Sequence, residues 1–349
     1  MLLHRGADTR QTRADTGRHG QTRASVRTQE APTKGYKKIY SYAKIVFDRN
    51  TTFAKITANN NATTQGNSTM FTKDEIINSD KLQPAAKTWA LDNFKYLCKP
   101  ITTLFSQSVK TNKGPEQYEV HVLYLQPADK VSKKTLCAAA ETSGCKKDCL
   151  ISSGHLGMDA AQRSSTKRTL LFLLKPELFE QLLLLEIDQK QLAGQMAGKN
   201  VYFRLNGTSD IDWSHIIKQR PKSNFYDYTK KLATASRNNL TNYDVTFSGS
   251  MFSKQSKAAL KKAVIRKLKI ALAFNTKHAK KDSLVIASDK FADFDKDDLR
   301  PLNDDGAIGA LTRKGSSVAE RETLNQTIES FFVTQANISE LDQILATTA

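Results

Sequence analysis

Cysteine is scarce in this chain: four thiols in 349 residues, three of them between Cys137 and Cys149. Long apolar runs are scarcer. No stretch of eighteen apolar residues occurs, so no membrane-spanning helix and no membrane partner are expected. The longest candidate, "TLLFLLKPELFEQLLLLEI", is interrupted by Lys175 and Pro176 and carries acidic residues. It reads as a buried strand followed by an amphipathic helix. The opening "MLLHRGADTRQTRADTGRHGQTRASVRTQ" has no apolar core behind its charges, so a secretory signal is not expected. The expected compartment is therefore the reducing cytoplasm, where clustered thiols bind metal more often than they form disulfides.

Familiar catalytic signatures are also missing. There is no G-x-x-x-x-G-K-[ST] phosphate loop, no G-x-S-x-G elbow and no H-E-x-x-H helix. "FSGS" lacks the glycine a nucleophile elbow needs before its serine, and "DKFADFDKDDLRPLNDDG" lacks calcium-loop spacing. The latter reads as a solvated acidic loop. Acidic residues are outnumbered, 35 Asp and Glu against 53 Lys and Arg, for a net charge of +18. Such an excess attracts phosphates, so a nucleic-acid partner bound through a basic surface enters the reckoning. Charge alone speaks to non-specific attraction rather than mechanism, and here it is spread along the chain.

What is present divides the chain into four. Residues 1–35 are Arg-rich, repeat "ADTRQTR" as "ADTGRHGQTR", and hold almost no large apolar residues, the composition of a disordered tail. Residues 36–115 form an extension expected to be mainly helical around Pro84 and Pro100, with Cys98 a core thiol near Trp89, Phe94 and Leu97. Residues 116–316 carry short β-rich runs alternating with helical ones: "YEVHVLYL", "TLLFLL", "NVYFRLNG", "NFYDYT", "YDVTFSGS", "KIALAFN", "LVIASDK" and "AIGALTRKG". That alternation predicts an α/β fold with a parallel sheet, as a full or partial (β/α) barrel or an open doubly wound sheet. Residues 317–349 read as one or two outer helices.

In either architecture, working residues lie at the carboxyl ends of the strands. Successive runs end in Asn206 and Asp210, in Asp227 and Lys230, in Ser248, in Asp289, and in Arg313. Asp210, Asp227, Lys230 and Asp289 are the candidate catalytic residues; Asn206, Ser248 and Arg313 are candidates for binding a cofactor. Each alone is equally a loop residue or a helix cap. Their recurrence, strand after strand, points to one cleft.

The thiols sit in "LCAAAETSGCKKDCLISSGHLGM", spaced C-x7-C-x3-C, with His155 six positions on. Buried structural cysteines sit in apolar sequence, which this is not. Gly144 allows a tight path, and Lys146 and Lys147 favour the thiolate that metals require. Cys137, Cys145, Cys149 and His155 would complete a structural Cys3His zinc site. Alternatively, the three cysteines alone would hold a 4Fe–4S cluster with one iron open to a cofactor such as S-adenosylmethionine. Radical S-adenosylmethionine enzymes use C-x3-C-x2-C, so the spacing departs from theirs. Their cluster loop follows the first strand of a partial barrel, as this one follows "EVHVLYL", and the cluster is preferred on that ground.

The blocks "LYLQPAD", "GCKKDCLISSGHLGM", "TLLFLLKPELFEQLLLLEI", "RLNGTSDIDW", "FYDYTK", "TFSGS" and "DLRPLNDDGAIGALTRKG" resemble the phage gene-product-eighty-eight family. The resemblance spans roughly residues 118 to 316. It implies a phage or mobile-element protein working in a bacterial cytoplasm, and it supplies no catalytic residues to carry over. Three functions are therefore expected in order. The first is a cluster-bearing, radical-SAM-like enzyme, or a relic of one, acting on a small-molecule or macromolecular substrate. The second is a nucleic-acid-binding protein with a structural zinc, using the basic helix in which Lys257, Lys261, Lys262 and Arg266 face away from Leu260, Ala263, Val264 and Leu268. The third is a non-catalytic interaction scaffold.

Overall fold

A computed structural model describes residues 70–107, 111, 113–236, 239–276, 291–314 and 317–348. The expected tail, the first part of the 36–115 extension and the run "LVIASDK" with Asp289 lie outside the described residues.

The β-rich runs build one eight-stranded sheet. In chain order its strands are β1 (Phe105–Ser106), β2 (Tyr118–Leu123), β3 (Asn200–Arg204), β4 (Asn224–Thr229), β5 (Tyr243–Ser248), β6 (Ile270–Phe274), β7 (Phe291–Asp293) and β8 (Ile308–Thr312). Their spatial order is β1-β2-β3-β4-β5-β6-β8-β7. Every neighbouring pair is parallel except β1 and β2. From β2 to β6 the spatial order is the chain order. The reversal that a doubly wound sheet needs does not occur in that run. Because parallel crossovers share one hand, a run without reversal puts its connecting helices on a single face.

Those helices are α4 (Asp159–Leu174), α5 (Pro176–Met196), α6 (Ser214–Lys218), α7 (Leu232–Ser236) and α8 (Lys254–Ile265), preceded by α1 (Lys73–Ile77), α2 (Pro84–Asp92) and α3 (Phe94–Leu97) and followed by α9 (Val318–Asn325) and α10 (Ile338–Leu345). The register fixes which side they cover. Phe203 pairs with Phe225, Phe225 with Tyr243, Phe247 with Ile270 and Ile270 with Ile308. All of these therefore share one face. Phe203 and Phe225 pack with Leu170, Leu171, Phe179, Leu182 and Trp213 of the crossover segments and with Ile76, Ala86 and Leu97 of the amino-terminal helices. Phe247, Ile270 and Ile308 pack with Leu260, Ala263 and Val264 of α8 and Leu341 of α10. The sequence expectation for α8 holds for Leu260, Ala263 and Val264, but the helix ends at Ile265, short of Arg266 and Leu268, and Lys257 is not free: its ammonium meets Glu340 at 2.6 Å.

"TLLFLL" is a correction. It is not a strand but the last turns of α4, and Pro176 at the first turn of α5 opens the next helix. Six apolar residues cannot tell a buried strand from a buried helix. The preceding "DAAQRSSTKR" decides it, by extending one uninterrupted helix back to Asp159. The crossover from β2 to β3 thus holds the cysteine segment, α4 and α5, with no strand between.

The other face of the sheet carries Val120 and Val122 of β2, Tyr202 and Arg204 of β3, Tyr226 and Tyr228 of β4, Ser248 of β5 and Ala271 of β6. Val120, Val122 and Tyr226 cluster there with Leu299, flanked by Tyr118, Tyr202 and Tyr228. Residues 294–303, part of the acidic segment, fill the amino-terminal half of this face. The Phe294 ring lies so close over Gly309 that a Cβ there would come within 2.0 Å of it. Asp298 accepts from Arg204 at 3.0 Å and from the Tyr226 hydroxyl at 3.0 Å. Lys269 bridges Asp244 and the Arg300 carbonyl at 2.6 and 2.9 Å. The segment read as a solvated loop is in this part a buried plug, with Asp298 and Arg300 almost wholly covered. Its many charges hide this in the sequence, because charge pairing of Asp298 and Arg300 goes in alongside the buried Phe294 and Leu299.

Candidate functional site

Above the plug, on the same face of the sheet, lies a cavity of about 1040 Å³ at the carboxyl ends of the strands. Its floor comes from Tyr124, Arg204, Tyr228, Ser248, Ala273 and Leu311, and its walls from the loops that follow. Small side chains on β6 and β8 leave the space; the Tyr and Arg side chains of β3 and β4 bound it.

The cysteine segment forms one wall. Cys137, Cys145 and Cys149 all line the cavity, as does the exposed His155. The segment is irregular, so its shape depends on ties to neighbouring strand ends. The amide of Asp210, after β3, donates to the Leu136 carbonyl at 2.9 Å. Ser250 and Ser253, after β5, donate to the carbonyls of Ser143 and Thr142, each at 2.7 Å. Arg313, at the end of β8, donates to Asp148 at 2.9 Å. Gly144 has φ +72° with the Phe252 ring against it, a conformation and a closeness that exclude a side chain.

The thiols are electrostatically aware of one another. Burial pushes Cys137 up to about 12, and negative charge on Cys149, Cys145 and Asp210 would add to the rise. Burial also raises Cys149, against the pull of Lys130 and Lys230. The expected activation by Lys146 and Lys147 is not what the fold provides. Lys146 is engaged by Asp129 and Glu141 at 3.0 and 2.8 Å. The three thiols suit a thiophilic metal centre in kind and number, and they share one cavity. Among the described residues, however, no three His, Cys, Asp or Glu side chains stand at metal-ligating spacing. Binding would require the thiols to lose their protons and turn toward a common point.

Asp210, Lys230, Ser248, Asn206 and Arg313 line the same cavity. Asp210 accepts from the Thr229 hydroxyl at 2.9 Å and the Lys230 amide at 3.1 Å. Lys230 donates to Ser248 at 2.8 Å and sits 4.3 Å from the centre of the Phe331 ring. Asn206 is spent on its own loop, accepting from Ser209, the Ile211 amide and Trp213. Asp227 is elsewhere. It shares the helix-covered face with Phe225, is wholly buried, and accepts from the Asn206 amide at 2.6 Å and Tyr243 at 3.2 Å. Its burial pushes the carboxyl up to about 7. Period-two alternation along β4 carried the signal that separates Asp227 from Tyr228.

Sequence reasoning passed over Arg168, Arg204, Asp298, Phe331 and Phe332, which also line the cavity. Arg168 hides in the helix misread as a strand, and Asp298 in the acidic plug. The two phenylalanines come from the carboxyl-terminal segment, where nothing in the sequence signals a return to the strand ends.

A family model described as Gene product 88 matches residues 98–327. The chain belongs to that family. The Gene product 88 match takes in every strand of the sheet and the whole cysteine segment, and leaves out α1, α2, α3, α10 and the Phe331–Phe332 pair. No curated protein and no solved structure matches the chain. No helix among the described residues is long and apolar enough to cross a membrane.

Proposed function

We propose that this protein is an enzyme, or a relic of one, whose cavity works with a 4Fe–4S cluster held by Cys137, Cys145 and Cys149, in the manner of a radical-SAM-like partial barrel. The observation that carries the reading is the placement of three thiols from one loop, the loop after the first parallel strand of an unreversed run, on the wall of one large cavity. A cluster held by three thiolates supplies an open iron and an electron to a bound S-adenosylmethionine.

The chain's own residues supply the rest. Arg313, through Asp148, and Ser250 and Ser253, through the carbonyls of Ser143 and Thr142, hold the cysteine loop over the strand ends. Asp210 and Lys230, on adjoining loops and tied backbone to side chain, present an acceptor and a cation to a ligand. Phe331 and Phe332 add apolar surface to the cavity wall beside Lys230 and Arg313. Ser248 fixes the Lys230 ammonium. Asp289 lies outside the described residues and has no assigned place.

The test is elemental analysis and absorption spectroscopy of protein purified without oxygen from iron-replete cells. Brown protein with iron and acid-labile sulfide in equal amounts, lost on replacing the three cysteines with alanine, is the expected result. One zinc per chain would instead favour the Cys3His site with His155, and a metal-free chain from that preparation overturns both metal readings.

A further inference from the structure

The cavity has a second chemical feature, on the wall built by the end of β2 and the middle of α4. Arg168 lines it and is only 6% exposed. Its guanidinium donates to the Tyr124 carbonyl at 3.0 Å, to Ser106 at 3.3 Å and to Ser164 at 2.6 Å. Every one of these partners is neutral. Among the described residues no carboxylate forms an ion pair with it. Glu186 is the carboxylate whose charge it feels most, and the oxygens of Glu186 are already taken by Thr103 and the Leu104 amide.

The neighbouring cations are treated differently. Arg204, Arg313 and Lys314 line the same cavity, and each has its own aspartate: Asp298, Asp148 and Asp295. Lys230 has neutral partners but is only half-buried. Arg168 alone among these is a nearly covered charge without a counter-charge, and burial disfavours its charged form. A guanidinium does not surrender its proton, so the uncompensated charge persists. Ser106, Gln107 and Ser164 stand on the same wall: the two hydroxyls accept from the guanidinium and keep their own protons to donate, and Gln107 gives one amide N–H to Glu119 at 2.9 Å and keeps a second. That combination matches the oxygens of a carboxylate or phosphate.

We propose that Arg168, with Ser106, Ser164 and Gln107, forms an anion subsite that takes the carboxylate or phosphate of the ligand occupying the cavity. The proposal rests on the cavity being the binding site but not on the cluster. The rest of the ligand then lies along the floor of Tyr124, Arg204 and Tyr228 toward the thiols. The structure had no need to provide an internal carboxylate, because the ligand brings one.

The experiment is calorimetric titration of the full chain with inorganic phosphate and, separately, with succinate, at low and raised chloride. Saturable binding of at least one anion, weakened by chloride, is expected; which of the two binds more tightly tells phosphate from carboxylate. Arg168→Gln should weaken it tenfold or more, and Arg168→Lys should restore part of the loss. Should Arg168→Gln not fold, the Ser106→Ala/Ser164→Ala double variant carries the test, with a loss of several-fold expected. Absence of binding by either anion, or unchanged affinity in whichever of these variants folds, overturns the subsite. The cluster reading is judged separately: iron-free protein that binds the anion through Arg168 defeats the cluster and keeps the subsite. Iron-loaded protein that binds no anion does the reverse.

Discussion

At the scale of single residues, Asp227 and Asp210 show how a strand position and a loop position separate two acids that look alike in sequence. Asp210 follows β3 into a loop and reaches the cavity; Asp227 points among the helices and serves the backbone of Asn206. The consequence is a measurable pH dependence. An unfolded aspartate titrates near 3.9, and burial holds Asp227 up to about 7. Because the folded value is the higher one, the neutral carboxyl favours folding fully below about pH 4, and that advantage is lost as pH rises through about 7. The loss is at most roughly 4 kcal/mol by the span of the shift. Urea unfolding across about pH 4 to 8 should show wild type losing stability relative to Asp227→Asn over that interval. A constant difference between the two proteins would mean that Asp227 is already ionised at the acid end. The thiol segment was legible at this scale, because polar sequence around clustered cysteines is unusual whatever the fold. Asp227 was not, because residue type says nothing about which face of a strand it occupies.

At the scale of elements, the strand runs "YEVHVLYL", "NVYFRL", "NFYDYT", "YDVTFS", "KIALAF" and "AIGALT" were readable, since short β-rich runs bounded by polar residues stand out. "TLLFLL" was not, since the last turns of its helix are buried on nearly all sides and show little periodicity. With it went Arg168, which a strand reading places at the boundary of an element rather than inside one. The acidic plug failed for another reason: its burial depends on partners more than seventy positions earlier in the chain, Arg204, Tyr226 and, for the Asp298 carboxylate, a shared network no local rule contains. That network makes the plug an element whose removal is costly. Asp298→Ala strands the Arg204 charge and the Tyr226 hydroxyl together under the plug. Breaking a buried pair from one side costs about 3–5 kcal/mol, so the unfolding free energy should fall by that much and the denaturation midpoint with it, with Asp298→Asn losing less. A midpoint unchanged in the alanine variant would mean the plug is held by Leu299 and Phe294 alone.

At the scale of the whole molecule, the charge of +18 and the cavity make separate claims on function, and their distribution separates them. Residues 1–69 hold twelve of the 53 Lys and Arg but only four of the 35 Asp and Glu, so nearly half of the excess lies outside the described fold. Within the fold, Lys257 of the basic helix α8 is spent on Glu340, and Arg266, just past its end, on the Ser236 hydroxyl. Lys261 and Lys262 remain exposed, which is what a solvated helix face also presents. A surface built this way attracts polyanions by counterion release without reading sequence. The full chain should therefore bind unrelated duplexes with the same affinity to within a few-fold, with dissociation constants in the non-specific range of about 10⁻⁴ to 10⁻⁶ M at physiological salt. Lys261→Glu/Lys262→Glu should change that affinity only as far as two charges in a diffuse excess allow, and should leave anion binding in the cavity untouched. Fluorescence anisotropy across a salt series decides it. Marked preference for one sequence, or its abolition by the α8 variant, would move the function from the cavity to the helix face and make the thiol wall a structural feature.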